Sequence, residues 1–176
     1  MPPLIRDAAP GDIPAIAAIY ADEVRLRVNT YEVDAPDEAE MARRMQAIVG
    51  AGYPYLVTEH DGTFAGYAYA GPFRQRAAYR WVVENSVYVA EGAQGQGIGA
   101  ALLEALVEAC AARGYRQMVA VIGEASNTAS IRLHQRAGFV HIGTFPGIAW
   151  KHGRWLDTVF MQRALGAGNT ELPHDE

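Results

Sequence analysis

The sequence predicts an α/β protein in which one mixed sheet is covered by helices on both faces. Two observations lead to this class. Short segments rich in β-branched and aromatic residues, as strands prefer, are interspersed with longer segments whose apolar residues recur every three or four positions. The order is strand, two helices, three strands, helix, strand, helix and two strands, which differs from the regular alternation of a dinucleotide-binding domain. We therefore expect about seven strands and about four helices.

The element boundaries follow from caps, turns and glycines. The strands are expected at Leu4–Asp7, Tyr55–Glu59, Thr63–Ala70, Trp81–Val89, Gln117–Ile122, Val140–Phe145 and Thr158–Leu165. The helices are expected from Asp12 to about Asn29, from Pro36-Asp37 to about Val49, from Ala100 to Gly114 and over Asn127–Ala137, with Asp12 and Ser126 as N-caps. His60-Asp61-Gly62 indicates a hairpin turn, and Gly147–Leu156 is expected to connect the last two strands.

Length and composition limit the organisation and the partners. With 176 residues, half of them apolar and a fifth charged, the chain fits one domain at 1–165, followed by a tail at 166–176 that we expect to be disordered. The net charge of −5 argues against a broad surface for nucleic acid or anionic membrane. No apolar run has the length of a membrane span, and Met1-Pro2-Pro3 leads into a strand rather than a signal peptide, so we expect a cytoplasmic protein.

The cysteine and the histidines indicate neither a disulfide nor a metal centre. Cys110 is the single cysteine and lies on the apolar stripe of the third helix, which predicts a small core residue rather than a nucleophile. His141, His152 and His174 lack the spacing of metal ligands, and we expect no metal.

A glycine-rich turn between a buried strand and an amphipathic helix is the most informative motif. Gln94-Gly95-Gln96-Gly97-Ile98-Gly99 follows the strand, and the helix is expected from Ala100. Such a turn gathers backbone N–H groups and the positive end of the helix dipole, which suits a phosphate. Gly95-x-Gly97-x-x-Ala100 also satisfies the dinucleotide fingerprint, with Glu124 where a ribose-binding acid is expected. The glycines alone do not show whether the turn binds a dinucleotide, binds the phosphate of another ligand, or binds no ligand.

The residues around the turn carry a resemblance to a known superfamily. Gln94-x-x-Gly97-x-Gly99 after a strand resembles the pyrophosphate loop of the GNAT superfamily of N-acetyltransferases, which bind acetyl-CoA. Asn127, Ser130 and the run Leu133–Phe139 resemble the superfamily's next helix and turn. The chain is most similar to the group of phosphinothricin and methionine sulfoximine N-acetyltransferases. The segments that carry this similarity include Thr30-Tyr31-Glu32, Gly66-Tyr67-Ala68, Gly71–Arg74, Ala78–Trp81, Val83–Val89, Val119–Ile122 and Lys151–Asp157.

The resemblance implies a GNAT-like fold and a site for acetyl-CoA. The central strand should splay from its neighbour, where the backbone of Val87, Tyr88 and Val89 would bind the pantetheine arm and the thioester oxygen. Asn127 and Ser130 would also contact the cofactor. The pyrophosphate would be bound by the residues of the turn, Gln94, Gly95, Gln96, Gly97, Ile98, Gly99 and Ala100.

The resemblance also implies assembly, because relatives in this group are commonly homodimers. Gly147–Leu156 contains Trp150, Lys151, His152 and Trp155, which fit either a dimer surface or packing within one subunit.

Glu84 and His134 are the candidate catalytic residues. Acetyl transfer requires a base for the proton of the ammonium group and stabilisation or protonation of the leaving thiolate. A carboxylate within an apolar strand is expected to be partly buried with a raised pKa, and the resemblance places Glu84 beside the amine. The alternative is a structural ion pair of Glu84 with Arg80. His134 stands where much of the superfamily has the tyrosine that protonates the thiolate, and a binding or structural role is its alternative.

Arginines interleave with aromatic residues before the central strand. Arginine suits a phosphinate or sulfone group, whereas RNA binding and a solvated turn are the alternatives. The predicted contacts to the substrate are Tyr31, Glu32, Phe73, Arg74, Arg76, Tyr79 and Glu84. The sequence thus predicts acetyl transfer to the α-amine of a phosphinothricin, methionine sulfoximine or methionine sulfone type of substrate, by direct attack in a ternary complex. A catalytically silent acyl-CoA sensor, another small amine as acceptor and a nucleotide-binding oxidoreductase are the alternatives.

Overall fold

The computed structural model describes residues 3–173 as one seven-stranded sheet with four α-helices. The strands are β1 (Leu4–Asp7), β2 (Tyr55–His60), β3 (Thr63–Pro72), β4 (Val82–Val89), β5 (Gln117–Gly123), β6 (Val140–Lys151) and β7 (Arg154–Ala164). The helices are α1 (Ile13–Leu26), α2 (Glu38–Gly50), α3 (Ile98–Ala112) and α4 (Thr128–Arg136). The order across the sheet is β1-β2-β3-β4-β5-β7-β6, and β4–β5 is its parallel pair. The predicted fold class is confirmed.

The two faces of the sheet carry different cores. The core between one face and α3 is mainly aliphatic and includes Leu102, Leu106 and Cys110 of that helix. The opposite face packs against α1 and α2 and carries the tyrosine rings of the core, among them Tyr67 and Tyr88. Because side chains alternate along a strand, consecutive residues of β4 contribute to different cores.

Of the two predicted N-caps, Asp12 occupies the N-cap position of α1 without a capping hydrogen bond, and Ser126 is wrong. The Asp12 carboxylate does not cap α1; it accepts a hydrogen bond from the Ala9 N–H at 2.8 Å and pairs with Arg6. The cap of α4 is Asn127 rather than Ser126, and its side chain accepts from the backbone N–H one turn into the helix. Neighbouring polar residues all suit this position, so composition alone does not choose between them.

The segment 147–156, predicted as a connection, is part of a long hairpin. β6 continues to Lys151 and β7 begins at Arg154, joined by His152-Gly153 with φ values of 50° and 72°, as in a two-residue hairpin turn. Trp150 and Trp155 pair across the strands with ring centroids 5.2 Å apart. β6 is an edge strand with most of its side chains exposed, and Pro146 and Gly147 lie where its register with β7 shifts, so the sequence pattern does not run through the whole strand.

The last described residues follow β7 as turns. Arg116 Nη2 donates to the Leu172 carbonyl at 2.8 Å. Residues 174–176 of the predicted tail, including His174, lie outside the described residues. Met1 and Pro2, which were expected to lead into the first strand, also lie outside them. Over residues 3–173, none of the helices has both the length and the apolar character needed to cross a membrane.

Candidate active site

The central strands β4 and β5 pair only where they begin. Their partners are Val82 with Gln117, Val83 with Met118, and Glu84 with Val119. β4 then continues to Val89 and β5 to Gly123, and within residues 3–173 these continuations do not pair with each other. The expected splay of the central strand therefore begins directly after Glu84.

Val87 and Val89 turn their backbone groups toward this opening. In an antiparallel pair, a residue directs both its N–H and its C=O to the same side, and successive residues alternate. The Ala90 N–H donates to the Ala65 carbonyl of β3 at 2.9 Å, so the even-numbered residues of β4 bond to β3. Tyr88 belongs to that set, and its ring is buried in the tyrosine core. The backbone groups of the odd-numbered residues point toward β5, and beyond Glu84 they have no strand partner there.

The glycine turn lies between β4 and α3. Gly95 and Gly97 have φ values of 76° and 81°, a region that favours glycine, and Gly97 is the N-cap of α3. The helix begins at Ile98, two residues before the predicted start at Ala100. The backbone N–H groups of the first helical turn have no acceptor inside the helix, and they lie at the positive end of its dipole. These groups are suitable donors for a phosphate.

Arg27 is a cation near this turn that the sequence analysis missed. With the Gln94 amide in the orientation that its neighbours require, Gln94 Oε1 accepts a hydrogen bond from Arg27 Nη2 at 3.2 Å. Arg27 directly follows α1, far from the turn in sequence, so no local pattern indicated this contact. The chain is acidic overall, yet it places a guanidinium group beside the candidate phosphate site.

The start of α4 contributes Asn127 and Ser130. Asn127 Oδ1 accepts from the Ser130 N–H at 3.2 Å, and Asn127 Nδ2 donates to Asn29 Oδ1 at 2.7 Å. Glu124, the ribose-binding candidate of the dinucleotide alternative, instead accepts from Arg154 Nη2 at 2.7 Å. This contact lowers the pKa of Glu124. Glu124 is thus part of an ion pair with β7.

Glu84 lies half-buried on the face of the tyrosine core. Burial raises the pKa of Glu84, and the charge of Arg74 opposes that shift. Arg80, the alternative ion-pair partner, has its guanidinium 5.3 Å from the centre of the Trp81 ring. Within residues 3–173 Glu84 has no ion pair at salt-bridge distance, and the raised pKa favours its acceptance of a proton.

The loop after β3 carries the predicted aromatic and cationic contacts, and the charge of its Arg74 acts on Glu84. The rings of Phe73 and Tyr79 meet edge to face at 5.8 Å, and the Arg74 guanidinium lies 5.1 Å from the centre of the Phe73 ring. Arg76 is exposed and precedes the short 3₁₀ turn Ala77–Tyr79. This loop supplies cations at the surface beside a half-buried carboxylate.

The loop between α1 and α2 is fixed against the end of β5. A Cβ atom at Gly123 would lie 2.0 Å from the Val28 carbonyl oxygen, so only glycine allows this approach. The buried Lys151 Nζ donates to the Thr30 carbonyl at 2.7 Å, so Lys151 packs within the subunit. The Tyr31 hydroxyl forms a hydrogen bond of 2.6 Å with a threonine of β7. Tyr31 is therefore held near the opening.

Glu32 lies in a network on the same face as Glu84. Arg44 of α2 donates to both carboxylate oxygens of Glu32, at 2.9 and 2.8 Å, and Tyr20 donates to it at 2.5 Å. The bond with Arg44 lowers the pKa of Glu32. No local sequence pattern indicated that Arg44, 12 residues from Glu32, would reach this network.

A cleft of about 280 Å³ lies beside the network. Its lining residues are Tyr20, Met41, Arg43, Arg44, Ala47, Ile48, Tyr55 and Tyr69. Tyr69 links the cleft to Glu84: burial raises the pKa of Tyr69, and the nearby charges of Glu84 and Arg44 act on it in opposite directions. Both arginines of the cleft already bind carboxylates of the chain, so the cleft offers phenol and aliphatic surface rather than a free positive charge.

His134 is buried, with 4% of its surface exposed, and both ring nitrogens face oxygen atoms. Nδ1 lies 2.8 Å from the Ser130 carbonyl, and Nε2 lies 3.0 Å from Asn85 Oδ1. Burial lowers the pKa of His134, and the Ser130 carbonyl opposes this effect. Since Asn85 follows Glu84 in β4, the structure places Glu84 and His134 on opposite sides of this strand. Within residues 3–173, no cluster of His, Cys, Asp or Glu could hold a metal ion.

The splayed mixed sheet with a glycine turn ahead of α3 has the architecture of a CoA-dependent acetyltransferase. Residues 15–139 match the profile of the acetyltransferase (GNAT) family, and the chain belongs to this family. The family predicted from the sequence is confirmed, and with it an acetyl-CoA-dependent N-acetyltransferase.

Individual relatives resemble nearly the whole chain. The phosphinothricin N-acetyltransferase of Alcaligenes faecalis is 47% identical over 96% of this chain and 86% of its own length. The L-methionine sulfoximine/L-methionine sulfone acetyltransferase of Pseudomonas aeruginosa is 42% identical over 92% and 94% of the two chains. A crystal structure of a phosphinothricin acetyltransferase from Sinorhizobium meliloti in complex with acetyl-CoA has a TM-score of 0.96 and 48% identity, covering 99% and 95% of the two chains.

Proposed function

We propose that the protein transfers acetyl from acetyl-CoA to the α-amine of a small amino-acid analogue, with residues 1–165 as the catalytic domain. Phosphinothricin, methionine sulfoximine and methionine sulfone are the leading acceptors, since relatives named for them match almost the entire chain. The observation that carries this proposal is the half-buried Glu84 at the point where β4 and β5 separate, with Arg74 nearby.

The arrangement at the opening supports binding of acetyl-CoA. The N–H groups of the turn Gln94–Ala100 would receive the pyrophosphate, with Arg27 adding positive charge. The backbone of Val87 and Val89 would bind the pantetheine arm and the thioester oxygen. Asn127 and Ser130 would complete the cofactor contacts at the start of α4, as the resemblance implies.

The acceptor would lie on the face of Glu84. Arg74 and Arg76, with Phe73 and Tyr79, would bind its anionic or sulfone group, because these cations are exposed in the loop beside Glu84. The cleft at Tyr69 would receive uncharged parts of the side chain. Tyr31 and Glu32 would shape the pocket through the loop they occupy.

The proposed chemistry is a direct attack in a ternary complex. Glu84 takes a proton from the acceptor's ammonium group, and the free amine nitrogen bonds to the thioester carbonyl carbon. The carbon–sulfur bond then breaks, its electron pair leaves with the CoA thiolate, and the nitrogen releases its second proton to solvent to give the neutral amide. His134, on the other side of β4, would stabilise or protonate that thiolate.

Release of the CoA thiol in the presence of a panel of amino acids and analogues tests this function. The expected result is acetyl-CoA-dependent release with at least one of the leading acceptors, weakened when Arg74→Gln removes the cation beside Glu84. Arg113→Gln is the control, because Arg113 is exposed at the end of α3 and donates to the Ala109 carbonyl. Binding of acetyl-CoA without thiol release for any amine would instead indicate a sensor. Thermal stabilisation by NAD or NADP but not by acetyl-CoA would indicate an oxidoreductase.

We also propose a homodimer that forms through β6. This edge strand exposes Ile142, Phe145, Ile148 and Trp150, an apolar set that is unusual for a free surface. Light scattering should show twice the monomer mass of 19.1 kDa, and Trp150→Glu should shift the mass toward the monomer. Leu4→Glu, at the opposite edge of the sheet, is the control. A monomer at micromolar wild-type concentration would contradict the dimer.

We place the protein in the cytoplasm, where acetyl-CoA is available to it. Cell fractionation with an antibody against the chain tests this location.

A further inference from the structure

Asn85 connects the opening between β4 and β5 to His134. It is 8% exposed, its Nδ2 donates to the Val119 carbonyl at 3.3 Å, and its Oδ1 lies 3.0 Å from His134 Nε2. Val119 pairs with Glu84 in the last paired position of the two strands. The Asn85 amide therefore bridges the strands at the point where they separate.

The partners of this amide determine its orientation. A carbonyl oxygen only accepts hydrogen bonds, so the amide nitrogen must face Val119 and the amide oxygen must face the His134 ring. The Ser130 carbonyl at Nδ1 is also only an acceptor. Both ring nitrogens thus face acceptors, and only the doubly protonated ring carries a hydrogen on each. A neutral ring would leave one nitrogen lone pair directed at an oxygen.

Burial acts against this doubly protonated form. It lowers the pKa of His134, and the Ser130 carbonyl partly offsets that effect. The position of His134 in the last turn of α4, near the negative end of the helix dipole, also favours a cation. The Phe139 ring, edge to face at 5.0 Å, brings no charge. Within residues 3–173 no carboxylate hydrogen-bonds to the His134 ring, so Asn85 Oδ1 is the side-chain acceptor that a substitution can remove.

We propose that Asn85 is a positioning residue whose side-chain oxygen holds the His134 ring in its doubly protonated form, on the side of β4 opposite Glu84. The inference rests on the proposed function, because a positive charge at this place serves a thiolate that leaves from acetyl-CoA. The charge stabilises the thiolate as the carbon–sulfur bond breaks, before any proton moves. Asn85 acts through His134 and through the bridge to Val119.

The protonation of His134 can be measured without cofactor or substrate. In protein labelled with ¹⁵N-histidine, the ring nitrogen shifts are followed by NMR from about pH 5 to about pH 9, and His134→Gln assigns the signal. Asn85→Leu keeps the approximate size of the side chain and removes its acceptor. The titration midpoint of His134 should then fall by about one pH unit, a tenfold change in its protonation equilibrium. Asn169→Leu, at an exposed position, is the matched control and should leave the midpoint unchanged.

Equal midpoints in the wild type and in folded Asn85→Leu would overturn the proposal. If Asn85→Leu does not fold, Asn85→Asp tests the same contact in the opposite direction. A carboxylate acceptor should raise the midpoint, and an unchanged or lower midpoint would contradict the role of Asn85. These titrations are carried out without acetyl-CoA, so their outcome does not depend on whether the protein transfers acetyl. In active enzyme, the loss of kcat at high pH should move to lower pH in Asn85→Leu, while KM for acetyl-CoA stays the same.

Discussion

Glu84 and Asn85 are neighbours in β4, yet their side chains face environments with little in common. Glu84 lies with the tyrosine core, near Tyr69 and the cationic loop that carries Arg74. Asn85 faces the aliphatic core of α3 and bonds to His134. Because successive residues of a strand point to opposite faces, one peptide unit is enough to separate the proposed proton acceptor from the ring that we propose to be cationic. A thioester between the open strands would be reached from both sides.

The largest expected difference between the two sides of β4 is the loss of kcat when Glu84 is replaced. Glu84→Gln keeps the shape of the side chain but removes the base, so kcat should fall by about 100- to 10,000-fold while acetyl-CoA affinity stays the same. Steady-state rates and calorimetric binding measure both quantities, and raising the pH should partly restore the rate by supplying free amine. Glu108→Gln, on the exposed side of α3, is the control. An unchanged kcat with only a raised KM for the amine would make Glu84 an orienting residue.

The two cores should also differ in how they respond to the loss of side-chain atoms. Leu106→Ala leaves a cavity in the aliphatic core and should lower the free energy of unfolding by about 2–5 kcal/mol. Within residues 3–173 the buried Tyr67 hydroxyl has no hydrogen-bond partner, so Tyr67→Phe should leave stability unchanged or raise it by about 1 kcal/mol. Urea unfolding measures both variants. A loss of more than about 2 kcal/mol in Tyr67→Phe would show that the hydroxyl has a partner in solution.

On the opposite side of β4, the effect should depend on the leaving group. His134→Phe removes the proposed charge near the thiolate and should lower kcat by about 100-fold with acetyl-CoA, the low end of the range for general acids and bases. An acyl donor whose thiol is more acidic needs less stabilisation, so the deficit should shrink with that donor. Glu84→Gln should show the same deficit with both donors. If His134→Phe lost the same factor in kcat with both acyl donors, His134 would not act on the departing sulfur.

The smallest effect is expected in the pH dependence of stability. Burial raises the pKa of Glu84 above its value in the unfolded chain, so folding favours the protonated carboxyl. The wild type should therefore lose stability relative to Glu84→Gln as the pH rises above about 4.3, and the difference should vanish below that value. Thermal unfolding at about pH 4 and about pH 7 measures it. A variant that is less stable than the wild type at pH 7 would show that the charged form is stabilised in the fold.

Much of the fold could be predicted from local patterns. The buried strands β4 and β5, the turn before α3 and the hairpin at Asp61-Gly62 each carry their own signals of composition and conformation. The hairpin formed by β6 and β7 could not be predicted in full, because Pro146 and Gly147 interrupt the pattern of β6 and the register shifts between Phe145 and Ala149. The Trp150–Trp155 pair becomes visible only when the register is known.

The candidate site was predicted where a motif or a buried charge marked it. Glu84 stood out because a carboxylate is unusual in an apolar strand, and the half-buried position agrees with that reasoning. Arg27 and Arg44 gave no such sign, since both look like solvated helix residues until the tertiary contacts form. Asn85 was recognised only as part of a motif. Its role depends on which carbonyl and which ring nitrogen it meets, and sequence spacing does not determine either.

The buried Cys110 has a practical consequence for measuring the reaction. It is the single cysteine of the chain, and burial raises the pKa of its thiol to about 12. Colour reagents that detect thiols react with the exposed, ionised form, which Cys110 does not present in the folded protein. The thiol signal from coenzyme A released by turnover would therefore have almost no background from the protein's own cysteine. A slow rise of that background would report unfolding during the assay.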